Sequence, residues 1–318
     1  MQPVGLALSS EEHPPNELVR QAQLGEAAGF EYALISDHFH PWTDSQGHSP
    51  FVWSTIGGIA QATSTLCLGT GVTCPTIRIH PVVIAQAAAT AAAMMPGRFF
   101  LGVGSGENLN EHVVGARWPA ANIRQDMLEE AVEVIRLLWQ GGNQNHTGAH
   151  YEVENARVYT LPDPIPDIYI AASGESAAEL AGRKGDGMIS TAPKEGLVDT
   201  FRSAGGGDKP TFGQVHVCWS KDEKKARRTA YEQWPNAAIK GELGQELPLP
   251  RHFEQAAEMV TEDDVAELVV CGDDPERHLD QLRKYLDAGY EYVYVHQVGN
   301  EQDGFFEFYR DEVLPKIA

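Results

Sequence analysis

The chain contains 318 residues, of which 42% are hydrophobic and 22% charged, a balance typical of a globular protein. Its formal net charge of −21 argues against nucleic acid and anionic membranes as partners, because both bind a basic surface. No apolar run approaches the roughly 20 residues that a membrane helix requires, so we expect no membrane association.

The N-terminal residues predict a barrel strand rather than a targeting signal. Residues 4–8 are apolar, but no basic segment precedes them and the run is too short for a signal peptide. The four cysteines show neither CxxC nor metal-ligand spacing, which indicates reduced thiols. We therefore expect a cytoplasmic protein.

Strand and helix patterns alternate along the chain. Strands are predicted at 4–8, 32–36, 66–70, 99–103, 168–172, 187–190, 211–219 and 292–297. Helices are predicted at 15–28, about 52–63, 82–95, 124–139, 176–184, near 194–204, 222–233, 274–288 and 305–314. Two insertions, at about 141–166 and 236–266, interrupt this alternation. We expect the first to contain a β-hairpin formed by 150–153 and 157–159, and the second to be turn-rich and then helical.

Eight βα units without an internal linker predict a single (β/α)8 TIM barrel over residues 1–318. The competing fold is a doubly wound open sheet, which would carry a glycine fingerprint after its first strand. Residues 8–12 contain no glycine, and the glycines at 102, 104 and 106 lack the GxGxxG spacing. The barrel is therefore the better interpretation.

Asp37 and His38 follow the second predicted strand, at the barrel end where ligands bind. A histidine exchanges protons near neutral pH, so His38 is a candidate catalytic base. The alternative is an aspartate that caps a turn beside a surface histidine. His38 and His40 also form an HxH pair, but no closed set of metal ligands accompanies it, and we expect no metal site.

Two further residues near strand ends are candidates for the same site. Glu107 follows three glycines within five residues, which allow a ligand to approach the backbone, and its carboxyl is a candidate general acid. Alternatively, Glu107 caps the next helical turn. Trp42 either forms the wall of a site for a planar ligand or anchors its loop by packing.

Residues 173–177 connect a strand to a helix N-terminus. Free amides at such a terminus bind anions, so a phosphate or phosphodiester is a plausible ligand here. Helix capping by Ser173 is an equal alternative. Gly71 begins a loop after the third strand and by itself indicates only a turn.

Taken together, four segments resemble the luciferase-like barrel family, and within it the coenzyme F420-dependent glucose-6-phosphate dehydrogenase group. They are SDHFHPW (36–42), GHSPF (47–51), LGVGSGENLN (101–110) and AGRKGDG (181–187). The resemblance covers essentially the whole chain. It implies a deazaflavin at the C-terminal end of the barrel, and a homodimer.

The resemblance also implies roles for individual residues. Cofactor contacts would come from Asp37, Gly71, Val72, Cys74, Ser105, Gly106, Asn110, Ser173, Gly174, Ser176 and Ala177. The peptide bond between Gly71 and Val72 would be cis. A hydride would pass from an alcohol or hemiacetal carbon to oxidised F420, with His38 as base, Glu107 as acid and Trp42 at the reacting centre.

The substrate is less well defined by the resemblance. The family's phosphate clamp is matched by Thr191 and Lys194, but one of its lysines is Gln255 here and its arginine has no clear counterpart. A threonine that contacts the coenzyme in the family is Cys74 here. We expect a small alcohol or sugar as substrate. The alternatives are a glucose-6-phosphate dehydrogenase proper, an FMN-dependent monooxygenase on the same barrel, and a barrel that binds the cofactor without turnover.

Overall fold

A computed structural model describes residues 4–317. Its strands are β1 Val4–Leu8, β2 Tyr32–Ile35, β3 Cys67–Thr70, β4 Phe99–Val103, β5 Gln144–Thr147, β6 Glu152–Ala156, β7 Ile168–Ala171, β8 Gly187–Ser190, β9 Thr211–Cys218, β10 Val269–Cys271 and β11 Tyr292–Gln297. Its α-helices are α1 Pro15–Ala28, α2 Val52–Ala62, α3 Pro81–Met94, α4 Asn108–Glu111, α5 Ala121–Leu138, α6 Glu175–Lys184, α7 Glu195–Phe201, α8 Glu223–Gln233, α9 Leu243–Glu246, α10 Pro250–Ala257, α11 Glu262–Ala266, α12 Pro275–Asp287, α13 Gln302–Phe308 and α14 Leu314–Ile317. Short 3₁₀ turns lie at His112–Val114 and Pro235–Ala238, and wider π turns at Arg202–Gly206 and Tyr309–Val313.

Eight parallel strands close into a barrel, which confirms the predicted fold. The strands follow the order β1, β2, β3, β4, β7, β8, β9 and β11, and β11 pairs again with β1. Because all of them run in the same direction, their C-terminal ends meet at one rim. The loops that leave this rim therefore carry the candidate site residues.

Strand β10 was not predicted from the sequence. It pairs in parallel with the last three residues of β9, where Val269 lies opposite His216 and Cys271 opposite Cys218. Strand β8 pairs only with the first three residues of β9, from Thr211 to Gly213. The long β9 therefore extends beyond β8, and β10 takes up the hydrogen bonds that would otherwise be unpaired.

Aromatic rings fill the barrel interior below the rim. Phe212 stacks on Phe100 and Tyr169 at ring-centroid distances of 5.7 and 5.2 Å. Tyr32 contacts the same ring edge-on at 5.6 Å. These side chains are buried, so the barrel has a closed apolar floor and any ligand must bind above it.

The first insertion contains a β-hairpin, but the strands predicted for it were wrong. The paired strands are β5 and β6, so residues 150–151 lie in the turn and 157–159 lie outside the sheet. The carboxylate of Glu130 accepts hydrogen bonds from the backbone amides of Ala149, His150 and Tyr151 at 2.8–3.0 Å. This long-range contact holds 149–151 in a loop, although the sequence there alternates like a strand.

The second insertion is helical, as predicted, and covers one side of the rim. It comprises the turn at Pro235–Ala238 and helices α9, α10 and α11. Thr261 and Asp264 form a capping box at the start of α11. Within residues 4–317, no helix combines the length and the apolar composition that crossing a bilayer would require.

Candidate active site

A cavity of about 1050 Å³ opens at the C-terminal rim of the barrel. Its wall includes the predicted residues His38, Trp42 and Glu107. It also includes eight predicted cofactor residues: Gly71, Val72, Ser105, Gly106, Ser173, Gly174, Ser176 and Ala177. The structure therefore brings these residues, which belong to loops after β2, β3, β4 and β7, into one site.

His38 is held by a carboxylate that the sequence analysis missed. Its Nδ1 lies 3.3 Å from Glu11 Oε1 and 3.3 Å from the backbone oxygen of His40. The Glu11 side chain is only 3% exposed, and its other oxygen accepts hydrogen bonds from the hydroxyl groups of Ser9 and Ser36. Because Nδ1 faces two acceptors, its proton is fixed there and Nε2 carries the free lone pair.

Trp42 both lines the cavity and packs in the protein. Its ring contacts the His38 ring edge-on at 4.9 Å and the Phe253 ring at 5.2 Å. Its backbone amide donates to Gln46 Oε1 at 2.8 Å. The two interpretations of Trp42 are therefore compatible, since a tightly packed indole is also a rigid cavity wall.

Glu107 stands at the N-cap position of α4, but its side chain does not cap that helix. Instead, Glu107 Oε2 accepts a hydrogen bond from Asn110 Nδ2 at 3.3 Å. Asn110 Oδ1 in turn accepts from the amides of Phe39 and His40. The loop after β4 is thereby tied to the loop after β2, which places Glu107 and His38 in the same cavity.

The glycines before Glu107 allow two loops to approach each other more closely than larger residues would permit. A Cβ at Gly104 would lie 2.7 Å from Val72 Cγ2, and Gly106 has a φ of +77°, which glycine adopts without penalty. The Gly71–Val72 peptide bond is cis, as the family resemblance implies. The loops after β3 and β4 therefore pack against each other and present mainly backbone to the cavity.

The turn before α6 exposes unpaired amides to the cavity. Gly174 is the N-cap residue, and no side chain caps this helix, so capping by Ser173 is not observed. The first intrahelical bond runs from the Ala178 amide to the Gly174 oxygen. Within residues 4–317, the amides of residues 175–177 have no partner, which is the arrangement that binds phosphate groups.

Three predicted cofactor residues do not line the cavity. Asp37 is 3% exposed and accepts hydrogen bonds from Thr73 Oγ1 and Arg78 Nη2, both at 2.8 Å. Cys74 is 5% exposed and its thiol contacts the Thr76 hydroxyl, while burial raises the thiol pKa well above its usual value. Asn110 is buried by the contacts given above. Cofactor contacts by Asp37, Cys74 and Asn110 remain predictions.

The three predicted substrate residues are dispersed. Thr191 lines the cavity, but Lys194 does not, and its Nζ lies 3.3 Å from the backbone oxygen of Ser173. Gln255 is exposed on α10 and does not line the cavity, whereas Phe253 of the same helix does. Lys194 therefore lies at the amide-rich turn before α6, whereas Gln255 lies on the exposed surface of α10.

A hydrogen-bonded chain of Glu12, His296 and His216 was also missed. Glu12 Oε2 lies 2.6 Å from His296 Nε2, and the Nδ1 atoms of His296 and His216 are 2.9 Å apart. Both imidazoles line the cavity. Glu11 and Glu12 lie three and four residues after β1 ends at Leu8, so their position near a strand end could have identified them. For His216 and His296 the sequence gave no indication of a carboxylate partner.

Three comparisons with known proteins bear on this site. The family model described as luciferase-like monooxygenase matches residues 2–292. The F420-dependent glucose-6-phosphate dehydrogenase of Nakamurella multipartita is 36% identical, over 98% of this chain and 96% of the relative. The F420-dependent hydroxymycolic acid dehydrogenase of Mycobacterium tuberculosis is 38% identical, over 99% of this chain and 88% of the relative. Among solved structures, an F420-dependent secondary alcohol dehydrogenase in complex with an F420–acetone adduct superposes with a TM-score of 0.92 at 27% identity, covering 100% of this chain and 99% of the other.

Proposed function

Because the chain belongs to the luciferase-like monooxygenase family, we propose that it is an oxidoreductase that transfers a hydride between the hydroxyl-bearing carbon of an alcohol or sugar and coenzyme F420. The observation that carries this function is that His38, Trp42 and Glu107 share one cavity with the amide-rich turn before α6. A dehydrogenase of this kind needs a proton-accepting group beside an anchored cofactor; His38 suits the first role, and the free amides of the turn before α6 suit the anchor.

The residues present fit the cofactor. The unpaired amides at 175–177 suit a phosphate-containing side chain, and the Lys194 ammonium near Ser173 adds a positive charge at the same turn. The small, uncharged surface that Gly71, Val72 and Gly106 present to the cavity suits the flat face of a ring. When bound, the deazaflavin supplies the hydride-accepting carbon.

The protein's own residues manage the protons. His38 Nε2 takes the proton of the substrate hydroxyl, while Glu11 and the His40 carbonyl hold the imidazole by Nδ1. The buried Glu11 carboxylate stabilises the positive charge that develops on His38. Glu107 is the second proton-exchanging group, and Asn110 fixes its orientation. Trp42 packs on His38 and excludes water from one side of it.

Titration with F420 and with FMN tests the cofactor. We expect micromolar or tighter binding of F420 and weaker binding of FMN, measured by isothermal titration calorimetry. Tighter binding of FMN would instead favour a monooxygenase on the same barrel. Loss of deazaflavin absorbance on addition of an alcohol or sugar then separates a dehydrogenase from a barrel that binds F420 without turnover.

The similarity to glucose-6-phosphate dehydrogenases favours a phosphorylated sugar as the alternative substrate. Among the described residues, however, the only lysine and arginine side chains in the cavity wall are Lys284 and Arg124. Arg124 is engaged by the Pro119 carbonyl and by side chains of α9, and Lys284 is exposed and contacts a glutamine. A phosphate dianion binds through several charge-assisted hydrogen bonds, so we propose a neutral substrate.

Steady-state rates with glucose and with glucose 6-phosphate test this proposal. Each missing charge-assisted bond costs about 1.5–3 kcal/mol, so we expect kcat/KM for glucose to equal or exceed that for glucose 6-phosphate. A clear preference for the phosphorylated sugar would contradict the proposal and assign the chain to the dehydrogenases named for that substrate.

We also propose a cytoplasmic homodimer. The four cysteines are free, which suits a reducing compartment. Phe51, directly before α2, and Val83 on the neighbouring α3 are 56% and 51% exposed, which suits an apolar contact between copies. Light scattering on the purified protein measures the assembly, and cell fractionation measures the location. A monomer at micromolar concentration would refute the first proposal, and recovery outside the cytoplasm the second.

A further inference from the structure

Glu12, His296 and His216 form a hydrogen-bonded chain, which we call the carboxylate–histidine relay, and its two histidines line the cavity. His296 on β11 and His216 on β9 are direct neighbours in the register of the two strands. Val215 and Val217 point to the outer core, so His216 points into the barrel. The His38 mechanism uses none of the three residues of the relay.

The relay determines which nitrogen atoms carry protons. The Glu12 side chain accepts a hydrogen bond from the Gly299 amide at 2.9 Å and faces His296 Nε2 at 2.6 Å. Glu12 is therefore a carboxylate that only accepts, and His296 Nε2 donates to it. In the tautomer in which His296 is neutral and protonated at Nε2, its Nδ1 accepts the Nδ1 proton of His216.

His216 is left with a free acceptor atom in the cavity. Within residues 4–317, His216 Nε2 has no hydrogen-bond partner, and the residue lines the cavity. Burial lowers the pKa of His216 to about 3, so its imidazole stays neutral. A neutral imidazole with such a weak basicity accepts hydrogen bonds but does not take up protons.

The surroundings of this acceptor favour an amphipathic ligand. The Trp234 ring lies 5.6 Å from the His216 ring and 4.4 Å from the His296 ring, and it shields one side of the relay. Gln214 and Tyr294, which face each other in the same strand pair, line the cavity one layer below. A substrate that covers this wall without donating a hydrogen bond would leave the imidazole acceptor desolvated and unpaired.

We propose that His216 Nε2 is a hydroxyl-binding acceptor that makes the enzyme select sugars and other polyols over alcohols with a single hydroxyl group. The inference rests on the proposed function, because it concerns a second hydroxyl of the same substrate while His38 serves the reacting one. A site built to pair a substrate hydroxyl discriminates strongly against analogues that lack it. His216 is thus a specificity-determining residue, and Glu12 and His296 are positioning residues that fix its tautomer.

Two substrates of similar ring size test the selectivity. Glucose carries several hydroxyl groups and cyclohexanol carries one, so the ratio of their kcat/KM values with F420 measures the contribution of further hydroxyls. In the His216→Phe variant we expect this ratio to fall tenfold or more, because kcat/KM for glucose falls while kcat/KM for cyclohexanol stays unchanged. His278→Phe is the control, because His278 is a buried histidine with two hydrogen bonds that lies outside the cavity.

A ratio that falls less than tenfold, or an equal loss on both substrates, overturns the proposal and gives His216 a structural role. Oxidation of cyclohexanol but not of glucose by the wild type also overturns it. If neither of these compounds nor any other alcohol or sugar reduces F420, the proposed function is what fails. In that case the NMR response of His216 to glucose decides the inference.

Nitrogen NMR of the F420-loaded protein with labelled histidines reads the acceptor directly and does not depend on turnover. We expect His216 Nε2 to be unprotonated, and glucose but not cyclohexanol to shift its resonance towards that of a hydrogen-bonded nitrogen. Glu12→Gln should move the His216 proton from Nδ1 to Nε2, because the new amide donates to His296 and reverses the relay. A protonated Nε2 in the wild type, or no response to glucose, overturns the proposal.

Discussion

Replacing Glu11 by glutamine tests whether a buried carboxylate assists His38 as the base. Glutamine retains the shape of the side chain, so its oxygen still accepts from His38 Nδ1, while the hydroxyls of Ser9 and Ser36 rotate to accept from its amide. The substitution therefore removes the negative charge and leaves the contacts in place.

The expected magnitude follows from the distance. Two unit charges 3.3 Å apart attract by about 5 kcal/mol at an effective dielectric constant of about 20. A transition state with half a positive charge on His38 retains about half of this, ~2.5 kcal/mol, which corresponds to a fall of about 70-fold in kcat. Because Glu11 is not in the amide-rich turn, F420 affinity should change by no more than severalfold.

The assay is steady-state loss of deazaflavin absorbance with an alcohol or sugar substrate. A primary deuterium isotope effect on the transferred hydrogen shows whether the chemical step is being measured. Glu17→Gln is the matched control, because it removes a carboxylate at the same end of the barrel that pairs with Arg20 instead of His38. A kcat for Glu11→Gln within fivefold of the wild type, with a full isotope effect, would refute the reasoning.

Three further predictions concern catalysis, cofactor binding and stability. His38→Ala and Glu107→Gln should each lower turnover by about 100-fold or more while F420 affinity stays within severalfold, since general acid–base groups contribute about 10²–10⁴ in rate; near-wild-type turnover in both variants would exclude these roles. Gly104→Ala should weaken F420 binding in calorimetry tenfold or more, because its Cβ would lie 2.7 Å from a methyl carbon of Val72, whereas Gly196→Ala, which lies outside the cavity wall and has no atom within 4 Å of its Cβ, should bind normally. Burial lowers the pKa of His278 from 6.5 to about 4. Between these two pH values the folded state binds fewer protons than the unfolded state, so stability is lost as the pH falls from about 6.5 to about 4. Between about pH 7 and pH 4 this amounts to about 3 kcal/mol, and His278→Gln should show a correspondingly flatter dependence in urea unfolding; an unchanged slope would contradict the assignment.

The buried network around Asp37 shows what the sequence motif at this site predicts and what it does not. The sequence placed Asp37 next to His38 and the resemblance made it a cofactor contact, but the structure pairs it with Arg78 and Thr73. The amide of Arg78 also donates to Glu111, whose pKa is raised by burial. A motif indicates that a residue is constrained, yet the partner that constrains it lies elsewhere in the chain.

The sequence by itself determined the regular elements and the rim on which the site lies. Apolar runs bounded by glycine and proline define the barrel strands to within about two residues, because strand and helix periodicity are local properties of the chain. The strand ends then identified His38, Glu107 and the turn before α6, since parallel strands place all their C-termini at one rim.

Only the tertiary structure decided which side chains meet. The hairpin register depends on Glu130, which lies outside the hairpin, and β10 depends on the unpaired end of β9. Glu12 and His296 are 284 positions apart, and they bond only because closure of the barrel brings β11 beside β1. Such contacts leave no periodic or compositional trace in the sequence, because their geometry exists only once the last strand has joined the first.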